Sequence, residues 1–582
     1  FRQHVPTARA VPLQAIADEV DLVFVTVPDD AIPDVAARLR LYGGQAIVHT
    51  SGALGTDALA PALAAGSIAG SFHPLVAFAD LERSVAALRG ATVALEGDAG
   101  LLALLAELAG EPLAWVGLIV ATFGVIARAW VISGPMGTPD LDAATVGIQA
   151  QQFLDGHLQV FFLNQPYGGT LEVAMVAAAF VVGGVNVAMM KLVPLALHAV
   201  AVVLTWRIAR RVTDDRLARF LAPCLLWIFP AGMVWNSTKQ RGFYGIAIVL
   251  AALTLLFALR VVQEGTATAD LVVLGLVAGL GWWTTPLLAP IALASGGWAL
   301  IESPDARRRV AWLVIPAALG AAPWLGWNAV NGWESLSGGR AEGWDWLEGA
   351  SGWLRSLGML TGTATPWDLS RNLVPWWLAA LILGLVVVIA WLRTREAVGW
   401  LLPGIVVIVG VTAPLNLVLA LSPGAPRYLY PLMPVVAVIL AVLVPDRSPS
   451  RAAWAAAGVL TMAAALTAWG LVGMDELANE PTPNFFIASP GIDRVVHYLE
   501  RRGIDVVTTD SAGMQITFLS GGEIVASSFG SPRVEDFERL AAAVPETTFV
   551  LAGGPPDNPK RLRTWADSSG ATVTDEAHIG QY

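Results

Sequence analysis

From residue 113 to residue 474 the chain passes through one apolar run after another, most of them separated by short joints rich in Pro, Gly, Arg or Asp. Crossing the hydrocarbon of a bilayer takes ~20 apolar helical residues. The pattern predicts membrane spans at roughly 114–133, 192–210, 216–234, 242–262, 270–285, 286–301, 311–327, 373–392, 398–421, 428–444 and 453–473. A twelfth run, 171–190, is apolar enough to compete with these. On either side the pattern changes. In residues 1–112, short buried-strand runs ("DLVFVTV", "AIVHTSG", "SIAGSFHP", "ATVALEG") alternate with helical stretches ("PDVAARLRL", "TDALAPALAAG"), which predicts a small parallel α/β sheet. In residues 475–582, "GIDRVVHYLERRG" has helical periodicity, while "IDVVTTD", "QITFLSG", "EIVASSF" and "TTFVLAGG" look like strands, with a Gly-Gly turn after the second.

The fold class expected is therefore mainly α: a polytopic membrane bundle of about eleven spans at 113–474. A partial α/β piece at 1–112 precedes it and a small α/β domain at 475–582 follows. Composition agrees. Only 14% of the 582 residues are charged and 55% are hydrophobic, against about 25% charged in soluble proteins. The single cysteine, Cys224, excludes an intrachain disulfide and reads as a small buried hydrophobe. The chain begins at Phe1 without Met and shows no signal-peptide pattern, so its start reads as truncated.

Arginine placement sets the topology. Clusters occur at Arg207/Arg210/Arg211/Arg216/Arg219, Arg307/Arg308/Arg309, Arg393/Arg395 and Arg447/Arg451, whereas 134–170 contains no Lys or Arg. Basic residues in short loops mark the cytoplasmic side. All the clusters fall inside, and 134–170 outside, only if 171–190 is a helix or re-entrant hairpin lying at the outer face. Residues 1–112 are then cytoplasmic and 475–582 extracytoplasmic, with the cell membrane as the location.

Four acidic residues then gather at the outer face: Asp140, Asp142, Asp155 and Glu172. Pro139-Asp140 suits a turn, Asp142 suits the N-cap of a helix from Ala143, and Glu172 suits a first helical turn. Cations arrive from distant segments: Lys239 and Arg241 in "WNSTKQRGFYG", and Arg427 in "SPGAPRYLYPLMP", flanked by Tyr428 and Tyr430. Carboxylates able to take a proton, set against cations able to hold a phosphate at the lipid headgroup level, suggest group transfer from a lipid-linked phosphate. Gln165 and Tyr167 are candidate sugar or acceptor contacts. His198 reads as a packed residue within a span. The Trp-rich stretch 331–353 reads as a long outer loop.

The runs "PDLDAATVGIQAQQFLDG", "NQPYGGTLEVAM", "STKQRGFYGIAIVL" and "PRYLYPLMPVVAVILA" resemble, in that order, the polyprenyl-phosphate-sugar-dependent glycosyltransferases of the C-type membrane fold, the protein mannosyltransferase and aminoarabinose transferase relatives. The resemblance covers about 113–530. It implies a catalytic base at Asp142, donor-phosphate contacts at Arg427, Lys239, Arg241 and Tyr428, and sugar or acceptor contacts at Asp140, Gln165, Tyr167 and Glu172. It also implies a cell-envelope enzyme that inverts the anomeric centre, and the bias of 32 arginines to three lysines fits a bacterial source. Where the family often has Asp-Glu, this chain has Asp142-Ala143, so the second carboxylate is lost or replaced in space by Asp140 or Glu172.

The pieces "VTVPDDAI", "VHTSGALG" and "GSFHPLVAF" resemble the Rossmann-like family related to pyrroline-carboxylate and ketopantoate reductases, whose polar positions fall on His49, Ser51 and His73. The opening strand and its G-x-G-x-x-G turn are absent, and that turn is what holds a pyrophosphate. NAD(P) binding is not expected, and an in-frame join of two unrelated genes is the preferred account of this piece. The partners expected are a polyprenyl-phosphate sugar donor, the bilayer, and a glycan, lipid or protein acceptor, with no nucleic acid. No cofactor is assigned, and a divalent cation is left open. Two other readings compete: a polytopic transporter or flippase-like protein, and a membrane-tethered remnant of an NAD(P)-dependent reductase. Against the first, the acidic residues sit in a loop rather than mid-span, and no internal repeat is evident.

Overall fold

The computed structural model describes residues 9–75, 93–109, 111–163, 165–265, 267–337, 346–412, 426–444, 449–479, 491–510, 512–528, 534–544, 546–551 and 558–579. The chain forms two compact units, Phe1–Leu118 with Arg447–Ala457, and Ile119–Asp446 with Gly458–Tyr582.

In the first unit the four expected strands form one sheet in chain order: Leu22–Val25, Ala46–His49, Ile68–Pro74 and Val93–Gly97. The first three are parallel, with Leu22 opposite Ala46 and Ala46 opposite Ile68. The fourth runs antiparallel, Gly70 opposite Gly97, so the sheet is mixed rather than wholly parallel. Side chains alternate between faces. Val23, Val25, Ile47 and Ala69 pack with the helices around Ala17, Ile32, Ala36 and Ala62, while Ala46 and Val48 pack on the opposite side with Leu101 and Leu105.

The second unit contains a helical bundle that leaves many large apolar side chains exposed on its surface. Ile119 is 67% exposed on the first long helix, which is what a lipid-facing surface requires and a soluble fold avoids. Five described helices are long and apolar enough to cross a membrane: Leu113–Ser133, Val187–Val212, Tyr244–Gln263, Trp376–Val398 and Trp454–Ala478. A sixth is added if Ala311–Gly320 and Ala322–Val330, bent by 61°, count as one span. The protein is thus a multi-pass membrane protein, but helix length does not establish eleven spans. Several expected spans are broken by identifiable residues. The 216–234 run stops at Ile228 before Pro230 and restarts as Ala231–Asn236. The 286–301 run opens with a single 3-10 turn, Pro286–Leu288, before Ala289–Glu302. The 428–444 run begins as 3-10 helix, Pro426–Leu432, and becomes α only at Met433–Val442. Of 398–421, Leu401–Thr412 is helical and 413–421 lie outside the described residues.

The 171–190 run is two elements. Leu171–Gly183 ends at Gly184 with φ +78°, a left-handed position glycine fills at little cost, and Asn186 then caps the Val187–Val212 helix through Met189 N–H at 2.9 Å. Elsewhere helices Thr268–Thr284 and Ala311–Gly320 touch backbone to backbone. A Cβ on Gly275 would lie 2.1 Å from the Leu313 carbonyl oxygen, and one on Gly279 2.0 Å from that of Ala317. Cys224 is half-buried on its helix rather than fully buried, and His198 packs against Trp227 at 5.8 Å.

The C-terminal segment forms a parallel three-stranded sheet, Val525–Ser528, Val506–Thr509 and Thr548–Val550, with Val506–Thr509 central. The stretch "QITFLSG" is not a strand. Gly513–Leu519 is a helix, and packing overrides the strand preference of Ile, Thr and Phe. Its Phe518 stacks on Phe180 at 6.5 Å and fills the space over Gly147, where a Cβ would come within 2.3 Å of the ring.

Candidate functional site

The site begins at the N-terminus of the Leu141–Leu154 helix. Asp140, not Asp142, is its N-cap: Asp140 is extended and its Oδ1 accepts from Ala143 N–H at 2.9 Å. This shifts the helix start two residues earlier than expected and puts Asp142 in the first turn. The reason is charge. Asp140 is 2% exposed, and its Oδ2 receives Arg241 Nη2 at 2.6 Å with Lys239 Nζ at 3.9 Å. A buried carboxylate needs such partners. Burial works to raise the Asp140 carboxyl, but Arg241 and Lys239, with the Ala143 N–H, outweigh it and hold it below its ordinary range.

The cations also pin the approach to Asp140. Lys239 Nζ donates to the Thr138 carbonyl at 2.5 Å, and Lys191 Nζ donates to the Gly137 carbonyl. Burial brings Lys239 down to about 7; Asp140 pulls it up, while Lys191 and Arg241 push it down. Lys191 was missed by sequence reasoning because it sits between two apolar runs. An ionisable residue at the mouth of a membrane helix was the available signal.

Asp142 lies on the other side. Its Oδ2 is 3.7 Å from Arg427 Nη1, and the two side chains are 14% and 12% exposed. Arg427 Nη2 also donates to the Tyr428 hydroxyl at 3.1 Å, and the guanidinium lies near the rings of Tyr428, Tyr244 and Trp367, at 5.1, 5.8 and 5.6 Å. Tyr430, buried, donates to the Gly232 carbonyl at 2.7 Å and anchors the Arg427 segment against the short helix Ala231–Asn236. Pro423 lies outside the described residues.

Glu172 is wholly buried and caps a helix other than its own. Its Oε2 accepts from Ile246 N–H at 2.9 Å, at the start of Tyr244–Gln263. Gly245 permits the approach, since a Cβ there would be 3.1 Å from both carboxylate oxygens. An anion is favoured at a helix N-terminus. Burial nevertheless raises Glu172 to about 7, against the pull of the Ile246 and Gly245 N–H groups.

Gln165 and Tyr167 lie on the hairpin Phe161–Phe162 with Gln165–Gly169. Tyr167 is 46% exposed and sets its ring against Phe243 at 6.3 Å. Gly168 and Gly169 let the hairpin press onto Phe243 and Trp283, where a Cβ would come within 2.0 and 2.7 Å. Asp155 does not join the cluster. It stands exposed at the C-cap of Leu141–Leu154, ~20 Å along the helix from Asp140. Within 331–353, Glu334–Ser337 and the residues from Trp346 on are helical, and 338–345 lie outside the described residues.

Asp140, Asp142, Lys239, Arg241, Arg427 and Tyr428 therefore converge, and Glu172 buttresses the helix that follows the cationic loop. Beside them Trp235 Nε1, Asn236 Oδ1 and both ends of the Gln240 amide are buried without a hydrogen-bond partner among the described residues, polar capacity that suits a polar ligand or water. Among the described residues no group of three or more His, Cys, Asp or Glu forms a metal cage, and each site aspartate faces a cation instead. In the N-terminal unit, His49 Nε2 meets the Gly55 carbonyl at 3.1 Å, its Nδ1 accepts from Ser51 N–H at 3.2 Å, and Ser51 Oγ accepts from Ala53 and Leu54 N–H. His73 Nδ1 meets the Thr50 carbonyl at 3.0 Å. All three residues hold one turn.

Comparison with known proteins gives a Rossmann-like domain over residues 1–74. Among solved structures, ArnT from Cupriavidus metallidurans in the apo state aligns with TM-score 0.52 at 15% identity, covering 78% of this chain and 94% of that one. The same protein bound to undecaprenyl phosphate aligns with TM-score 0.50 at 14% identity, covering 80% and 96%. No curated protein matches by sequence. The membrane unit has the ArnT-like, C-type glycosyltransferase fold, and a small Rossmann-like α/β region precedes it.

Proposed function

We propose that this protein transfers a sugar from a polyprenyl phosphate to an acceptor hydroxyl at the outer face of the membrane, with inversion. The observation that carries the reading is the pair of adjacent ion pairs on one helical turn. Asp140 is buried against Arg241 and Lys239, while Asp142 is partly open, 3.7 Å from Arg427. The first pair is spent on holding the loop. The second sets a proton acceptor beside a phosphate-binding group.

The acceptor oxygen attacks the anomeric carbon and its proton passes to an Asp142 carboxylate oxygen. The bond from the anomeric carbon to the phosphate oxygen breaks, and the phosphate leaves with the bonding pair. Arg427 meets the charge that develops on it, where its planar fork and the low local dielectric make the contact strong. Lys239 and Arg241 add positive potential from behind. The sugar was activated when the lipid donor was made, so no nucleotide need bind. The ArnT structure with undecaprenyl phosphate supports a lipid phosphate as the ligand of this fold.

Purified protein in vesicles, offered radiolabelled polyprenyl-phosphate sugars and a hydroxyl acceptor, should consume at least one donor and release polyprenyl phosphate. Uptake of sugar into the vesicle lumen without cleavage would replace the transferase with a transporter. Membrane-impermeant thiol labelling of His157→Cys and Glu523→Cys, both exposed positions, should report the outside for both. A cytoplasmic signal at the second would overturn the outer-face placement.

A further inference from the structure

Trp367 is held in a backbone conformation that large side chains rarely adopt, at φ +70°. It occupies the turn between strands Ala364–Thr365 and Asp368–Asn372, where Thr365 pairs with Asp368. Proline followed by a positive φ is the pattern of a type II turn, whose third position normally takes glycine or asparagine. Here it takes the bulkiest residue. Such strain persists only where the surroundings over-determine it, and it concentrates at functional sites.

The ring explains the placement. Its centroid is 5.5 Å from the Arg241 guanidinium carbon and 5.6 Å from that of Arg427, and it meets Trp235 edge-on at 6.2 Å and 80°. The hairpin is clamped from outside, with Arg371 bound to Asp368 at 3.3 Å and to Glu476 near the end of the last apolar helix. We propose that Trp367 is the positioning residue that sets where the two site arginines stand. Arg241 and Arg427 repel one another, and each has a carboxylate two residues from the other's. An indole within reach of both attracts each guanidinium without competing for its N–H groups, as a third carboxylate would. The proposal rests on the transferase reading for its purpose, but the geometry can be tested without it.

The experiment is a double-mutant cycle on the full chain, between Trp367→Ala and Arg427→Lys, read by transfer kinetics and by melting temperature. Trp367→Ala should lower kcat/KM about tenfold to a hundredfold, mostly through donor KM, for loss of two cation–π contacts. Trp367→Gly should lose as much activity while melting higher than Trp367→Ala, because glycine relieves the backbone. Trp367→Phe should lie between wild type and alanine. In the Arg427→Lys background the alanine effect should shrink to about threefold to tenfold, because the contact with Arg241 remains. Additive effects in both readouts, or Trp367→Ala activity within threefold of wild type, would overturn the proposal. If wild-type protein consumes no donor, the transferase reading fails, and non-additive or additive melting shifts still support or overturn the placement of Trp367.

Discussion

Asp142→Asn separates chemistry from architecture. The amide keeps the shape of the side chain and its place in the first turn, but it cannot accept a proton usefully at neutral pH. Loss of a general base costs about 10²–10⁴ in rate. The effect on donor binding follows from the 3.7 Å spacing to Arg427. At that distance an ion pair has a gross attraction of about 4 kcal/mol at an effective dielectric near 20, most of it offset by desolvation. Removing the carboxylate releases Arg427, which keeps its aromatic neighbours and Tyr428. Donor KM should therefore stay flat or fall while kcat collapses, and melting temperature should barely move. Asp140→Asn is the contrast. It leaves Arg241 and Lys239, both 1% exposed, without their counter-charge. Removing one partner of a buried pair costs about 3–5 kcal/mol, so this variant should melt several degrees lower and lose activity as the loop loosens. The assay is sugar transfer in vesicles with melting measured on the same preparations. If Asp142→Asn keeps more than a tenth of wild-type kcat, Asp142 is not the base. If Asp140→Asn loses kcat at unchanged melting temperature, the roles are reversed.

Three further outcomes are expected. Burial lowers Lys239 to about 7, so donor binding should weaken as pH rises through that value; Lys239→Arg should remove the inflection, and a profile unchanged by it would exclude Lys239 from the phosphate's surroundings. Gly147→Ala drives a methyl into Phe518, so the C-terminal sheet should become protease-sensitive at lower temperature, with Phe518→Leu restoring resistance; unaltered proteolysis of the alanine variant would count against the docking. The full chain should show no calorimetric NAD or NADP binding at micromolar concentration, since His49, Ser51 and His73 are spent on a turn.

Much of the architecture could be read because it rests on local signals. Strand runs alternating with helical ones marked the N-terminal sheet, and apolar runs marked the bundle. The convergence of Asp142 with Arg427, 285 residues apart, came from their chemistry and from placing both at the outer face. What local pattern could not carry was decided by tertiary partners. Asp140 and Asp142 both read as candidate turn or cap residues, and Arg241, 101 residues away, selects which is the cap. Glu172 looked like a carboxylate favouring its own helix, yet it caps a helix that begins more than seventy residues later. "QITFL" has strand residues, but the gap above Gly147 takes it as a helix. Trp367 carried no signal, because a turn of this kind is recognised by its glycine, and there is none.

The seam between Thr268–Thr284 and Ala311–Gly320 has a mechanical consequence. Gly275 and Gly279 bring backbone against the carbonyls of Leu313 and Ala317 with no side chain between, and Gly320 does the same against that of Leu276, where a Cβ would lie 2.4 Å from the oxygen. Neither helix can roll without driving an oxygen into a Cα, so the two behave as one plank. Compliance is displaced to the plank's end, where the chain bends by 61° between Gly320 and Ala322. Under the lateral pressure of a bilayer the seam should bear load as a unit and the bend should be where this wall gives. Spin labels across the seam should hold a single narrow distance in membranes of different thickness, while a pair straddling the bend should not.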